Sequence, residues 1–150
     1  MVPNPRFVVP VTYDQPEFAE LQRRFPVGVH QGYARTKQYL YRKDANLTDR
    51  EVTFEYMVLG RQANADDAHA EIIRLGFRPA LYEELLCFAL AHPEERMKHE
   101  VIALGSLTFL DDDDIYVPCL IHRKDQVLGL WYIGFYKTFP PELRYLVVRE

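Results

Sequence analysis

Chemistry in this chain would have to come from five histidines, two cysteines, a run of four aspartates, or two stretches rich in aromatic residues. The carboxylates of Asp111, Asp112, Asp113 and Asp114 could chelate calcium, which takes roughly six to eight oxygens. The alternating spacing of an EF-hand loop and its distal glutamate are missing, so the expectation is an acidic hairpin loop held open by water and mutual repulsion, with no metal. His92 and His99 are separated by Pro93, His69 shares a helix only with Glu71 and two aspartates, and His30 and His122 stand alone. Each is expected at the surface or at a helix end. Cys87 and Cys119 both lie in apolar segments, which predicts buried free thiols in a reducing compartment. No Walker loop, GxGxxG, GxSxG or HExxH occurs, and the scattered glycines cannot cradle a phosphate. No catalytic residue and no cofactor is assigned, and an enzyme is not expected.

The first aromatic stretch is basic. Leu21 to Arg50 holds Arg23, Arg24, Arg35, Lys37, Arg42, Lys43 and Arg50 against Asp44 and Asp49, with Phe25, Tyr33, Tyr39 and Tyr41 interleaved. Such a mixture can stack bases and neutralise phosphates, although the whole chain has a net charge of -4. Two solvated faces of opposite charge explain the same residues. The second stretch is Leu130-Trp131-Tyr132-Ile133-Gly134-Phe135-Tyr136, where both strand parities are large. One face would present Trp131, Ile133 and Phe135, the other Tyr132 and Tyr136. Either the strand is central and covered on both sides, or one face is offered to a partner, as Trp and Tyr are suited to do.

The elements that would position these residues are those of a single α+β domain over 1–150, with 1–50 an N-terminal extension and 51–150 the core. Phe7 to Tyr13, broken by Pro10, reads as an edge strand; Asp14 and Glu17 start an N-terminal helix over about Gln15 to Arg24 that Pro26 ends. Val52 to Leu59 has the alternation of a strand. Asn64 caps a helix from about Ala65 to Leu75, which Gly76 closes with Phe77 placed to touch Ile72. Arg78-Pro79-Ala80 is expected to turn the chain into a second helix whose buried face is Leu81, Leu85, Phe88, Ala89 and His92. Val101 to Leu110, Ile115 to His122, Val127 to Tyr136 and Leu143 to Arg149 follow as an antiparallel meander. The two main helices should pack on one face of a mostly antiparallel sheet, because they do not alternate with strands. Prolines interrupt MVPNPRFVVPV where a signal peptide needs an apolar run, and no stretch is long enough to span a bilayer, so a cytoplasmic protein is expected.

This order of parts resembles the C-type-lectin-like fold, in the calcium-independent branch shared by formylglycine-generating-enzyme-like domains and the variable proteins of diversity-generating retroelements. The residues that carry the resemblance are Gly76, Arg78, Pro79, Glu84 and Leu85, then Gly105 and Ser106, then Arg144 to Arg149, and it covers roughly Val52 to Glu150. Ile102 to Ser106, Val117-Pro118 and Leu143 to Arg149 are also similar to small uncharacterised bacterial proteins found in many copies per genome. The resemblance implies that the first and last strands pair, Val52 to Leu59 beside Leu143 to Arg149. The EPN and WND motifs are absent, so it does not imply calcium-dependent sugar binding, and neither cysteine matches the active-site pair of the enzymes. It implies a binding module whose ligand is met just before the last strand, at Trp131, Tyr132, Phe135, Tyr136 and Lys137, with Arg123 and Lys124. The alternative is an interaction protein that uses segment 21–50, on nucleic acid or another partner.

Overall fold

The computed structural model describes residues 5–13, 38–39, 48–109, 115–120, 128–132 and 138–149. Their elements are β1 (Phe7–Val11), β2 (Gln38–Tyr39), β3 (Arg50–Met57), α1 (Ala65–Arg74), β4 (Phe77–Pro79), α2 (Tyr82–Ala91), a 3-10 turn (Glu95–Met97), β5 (Val101–Ile102), β6 (Ser106–Phe109), β7 (Ile115–Leu120), β8 (Leu128–Tyr132) and β9 (Arg144–Arg149). The expected N-terminal helix falls on residues outside the described set.

The strands join in one mixed sheet in the order β1-β3-β9-β5-β7-β6-β2, with β4 also beside β9 and β8 beside β7. All pairs are antiparallel except β5 with β9. The implied pairing of an early strand with the last one is present, with Phe54 opposite Val148 and Met57 opposite Tyr145. The four-strand meander is not what forms. β6, β7 and β8 are neighbours in chain order, but β9 leaves them and inserts between β3 on one side and β4 and β5 on the other. The chain from Val101 to Phe109 is also two strands, not one, because it turns at Leu104 and Gly105, where the Gly105 N–H donates to the Ala80 carbonyl at 2.9 Å. Arg78 and Pro79, expected within an Arg78-Pro79-Ala80 turn, are extended and together with Phe77 pair with Val147 to Arg149.

The helices lie on opposite faces of the sheet, which corrects the one-face expectation. Along β3, Val52, Phe54 and Tyr56 join the core of α2, while Met57 joins that of α1; along β9, Leu146 and Val148 go with α2, and Tyr145 and Val147 with α1. Strands that are apolar on both parities need cover on both faces. α2 supplies it with Leu81, Leu85, Leu86 and Phe88, each at most 1% exposed, and burying each such side chain stabilises the fold by roughly 1.5–3 kcal/mol. α1 is the smaller cover and buries Ala68 and Ile72. It begins as expected, with Asn64 accepting from the Asp67 N–H at 2.8 Å, and ends at Gly76, whose φ of 86° is open to glycine at little cost.

Candidate functional site

The aromatic residues singled out from sequence lie only partly within the described chain. Trp131 and Tyr132 are on β8, with Trp131 opposite Val117 and Tyr132 opposite Tyr116. Among the described residues β8 pairs with β7 alone. Arg123, Lys124, Phe135, Tyr136 and Lys137 are outside the described residues, as are the Asp111 to Asp114 run, His30 and His122, and every basic residue of segment 21–50 except Arg50.

A second group, not foreseen, gathers around Glu84. This glutamate is the third residue of α2, in the first turn, where an acid also suits the helix dipole. It is wholly buried. Its Oε1 accepts from Arg78 Nη1 and from the Leu81 N–H, both at 2.8 Å; its Oε2 accepts from Arg78 Nη2 at 2.7 Å and from the Tyr13 hydroxyl at 2.6 Å. Four donors fill the lone pairs of one carboxylate, and the bidentate guanidinium neutralises it. Burial, and then the adjoining Glu84 charge, push the Tyr13 hydroxyl far above the ordinary tyrosine range, so it stays a donor. Strand register explains the meeting: Arg78 sits opposite Val148, whose side chain faces α2.

Beside this pair the Tyr82 N–H donates to Ser106 Oγ at 2.9 Å, and an added Cβ at Gly105 would stand 2.6 Å from the Ala80 oxygen. Arg78, Pro79, Glu84, Gly105 and Ser106, which read as a family phrase, are thus one structural joint between β4, α2 and β6. Cys87, on the same helix, is pushed up to about 11 by burial, so it is a thiol and not a nucleophilic thiolate at neutral pH. Both cysteines are buried and neither is in a disulfide, as expected.

The third group stands at the C-terminal end of α2. The rings of Phe7, Tyr56, Phe88, His92 and His99 form a chain of edge contacts: Phe7 to Tyr56 at 5.3 Å, Phe7 to His92 at 4.9 Å and Tyr56 to His99 at 5.6 Å between centroids. The Tyr56 hydroxyl donates to buried Glu95 at 2.8 Å, and Lys98 pairs with the same carboxylate at 3.3 Å. Burial and Glu95 raise Tyr56 well above its ordinary value, while burial and the nearby Arg144 hold His99 below the usual histidine range. His92 and His99, treated as unrelated in sequence because Pro93 divides them, are therefore bridged by one aromatic cluster. The signal that could have linked them is the return of the chain through Glu95 and Lys98 to the last residues of β3.

Among the described residues no three histidine, cysteine or acidic side chains gather as a metal set, and no helix is long and apolar enough to cross a membrane. Comparison of the chain with family models, with curated proteins and with solved structures returns no match.

Proposed function

We propose that this chain is a non-enzymatic binding module of the C-type-lectin-like kind, which meets a protein or small ligand through β8 and the residues after it. Trp131, Tyr132, Phe135, Tyr136 and Lys137 make the contact surface, with Arg123 and Lys124 at the other end of the strand. The observation that supports this most is that β8, an aromatic strand, has β7 as its one pairing partner among the described residues, and Trp and Tyr are suited to recognition. The pairing of β3 with β9 supports the fold resemblance. The chemistry of the interior points the same way, since Glu84 is fully engaged by its own chain and Cys87 is held as a thiol. Tyr136→Ala and Trp131→Ala should lose the interaction while melting like the parent. Unchanged stability together with unchanged interactions would refute the reading.

A second reading uses segment 21–50. What favours it is a groove of about 440 Å³ at the far end of the sheet, lined by Arg50, Glu51, Val52, Thr53, Val148 and Arg149. β3 runs past the last β9 pair there, and Arg50 brings the end of the basic segment to the groove. Binding of nucleic acid at this place would weaken steeply with salt, whereas binding on the aromatic surface would not.

A further inference from the structure

Arg144 begins β9 with a half-buried side chain, and no hydrogen bond or ion pair holds its guanidinium among the described residues. It lies over the Tyr56 ring, 5.8 Å from the centroid. Stacking on the ring holds the guanidinium in place and leaves its N–H fork without a protein acceptor among the described residues. The backbone brings two more nitrogen donors to the same ring. Arg144 N–H donates to the Glu100 carbonyl at 3.1 Å, which ties β9 to the segment after the 3-10 turn. From that segment His99 meets the edge of Tyr56 at 5.6 Å, and Lys98, 59% exposed at its side chain, reaches Glu95 beneath.

We infer that Lys98, His99 and Arg144 form a binding site for a phosphate-class oxyanion, seated beside the Tyr56 ring. A planar guanidinium fork, an imidazole N–H and an ammonium offer more than two donors, which suits a tetrahedral oxyanion better than the two oxygens of a carboxylate. The Tyr56–Glu95 hydrogen bond keeps the floor of the site rigid. This site is independent of the β8 surface.

The charges around it fix how binding depends on pH. Glu95 is buried and already shared by Tyr56 and Lys98; Glu94, exposed, lies 3.5 Å from His92 Nδ1; Glu100 is exposed. Burial, and then Arg144, oppose a positive charge on His99; Glu95 acts against them and Lys98 with them. A bound dianion reverses that opposition, so anion binding and proton uptake at His99 assist one another. Binding strengthens as pH falls through the histidine range.

The test uses the full chain, with histidine ring resonances followed by NMR as sulfate or inorganic phosphate is added. Sulfate does not titrate near neutrality, so its pH dependence reports the protein. The expected result is a saturable shift assigned to His99 through His99→Gln, with the His99 titration moved upward when sulfate is bound. Lys98→Gln and Arg144→Gln should each weaken binding about tenfold or more, as loss of one charge-assisted hydrogen bond does. Lys98 is at the surface and tests the site even if Arg144→Gln folds poorly. Acetate should not compete. No saturable shift at millimolar sulfate or phosphate, parental binding by Lys98→Gln, or equal competition by acetate would overturn the inference.

Discussion

Removing the positive half of the Glu84 pair is the sharpest perturbation of this fold. In Arg78→Met the carboxylate keeps the Leu81 N–H and the Tyr13 hydroxyl but loses the two guanidinium donors and the cation they belong to. Arg78 is 3% exposed and Glu84 0%, so water cannot take the place of the guanidinium. Breaking one side of such a pair costs about 3–5 kcal/mol, against a domain stability of roughly 5–15 kcal/mol. Glu84→Gln, which leaves the guanidinium facing an amide, should cost a similar amount. The double variant should fall little further than the worse single, giving a coupling of roughly 3 kcal/mol, because no buried charge is then left alone. Urea unfolding followed by circular dichroism measures all three, read as midpoint shifts at constant slope. Two additive single losses of under about 1 kcal/mol, the behaviour of a hydrated surface pair, would refute the reasoning.

Two glycines should respond differently to alanine. At Gly105 the new Cβ meets the Ala80 and Pro79 oxygens at 2.6 and 2.8 Å, both backbone atoms, so a loss of about 1–3 kcal/mol is expected. At Gly76 nothing lies within 4 Å and only the φ of 86° is strained, for about 1–2 kcal/mol; thermal melts that rank Gly76→Ala as the more damaging would contradict the β4–β6 joint. Stability should also fall at alkaline pH. Burial raises Cys87 from 9.0 to about 11 and Tyr145 from 10.0 to about 12, so the folded form holds these protons longer. The stabilisation is complete below about pH 9 and lost as pH rises toward 12, roughly 3 kcal/mol for each group. A urea midpoint that stays flat to pH 11 would sink this account.

The locally coded parts of the fold were legible. The Asn64 cap, the Gly76 stop and the start of α2 after Pro79 follow from residues within a turn of one another, and the structure has them in place; the strand expected over Val52 to Leu59 forms as Arg50–Met57. What was hidden depends on contacts distant in sequence. Val101 to Phe109 has the apolar content of one strand, and only the press of Gly105 on Ala80 divides it. Arg78 and Glu84 are six apart across a strand-to-helix corner, a spacing that belongs to neither period, and Tyr13 reaches them over 71 positions. The double apolar parity of RYLVVR does announce a strand covered on both sides. It was the assumption of a one-sided sheet that misplaced the helices. Of the candidate site, the aromatic strand was visible in composition, while its pairing with β7 depends on contacts between residues distant in sequence.

The proposal that β8 is a recognition strand turns on one side chain. Trp131 is the single tryptophan of the chain, so its fluorescence reports this position alone. A surface role predicts emission shifted to the red in the native protein, with acrylamide quenching close to that of the urea-unfolded chain. Blue-shifted emission with slow quenching, the signature of a ring sealed in the core, would contradict it.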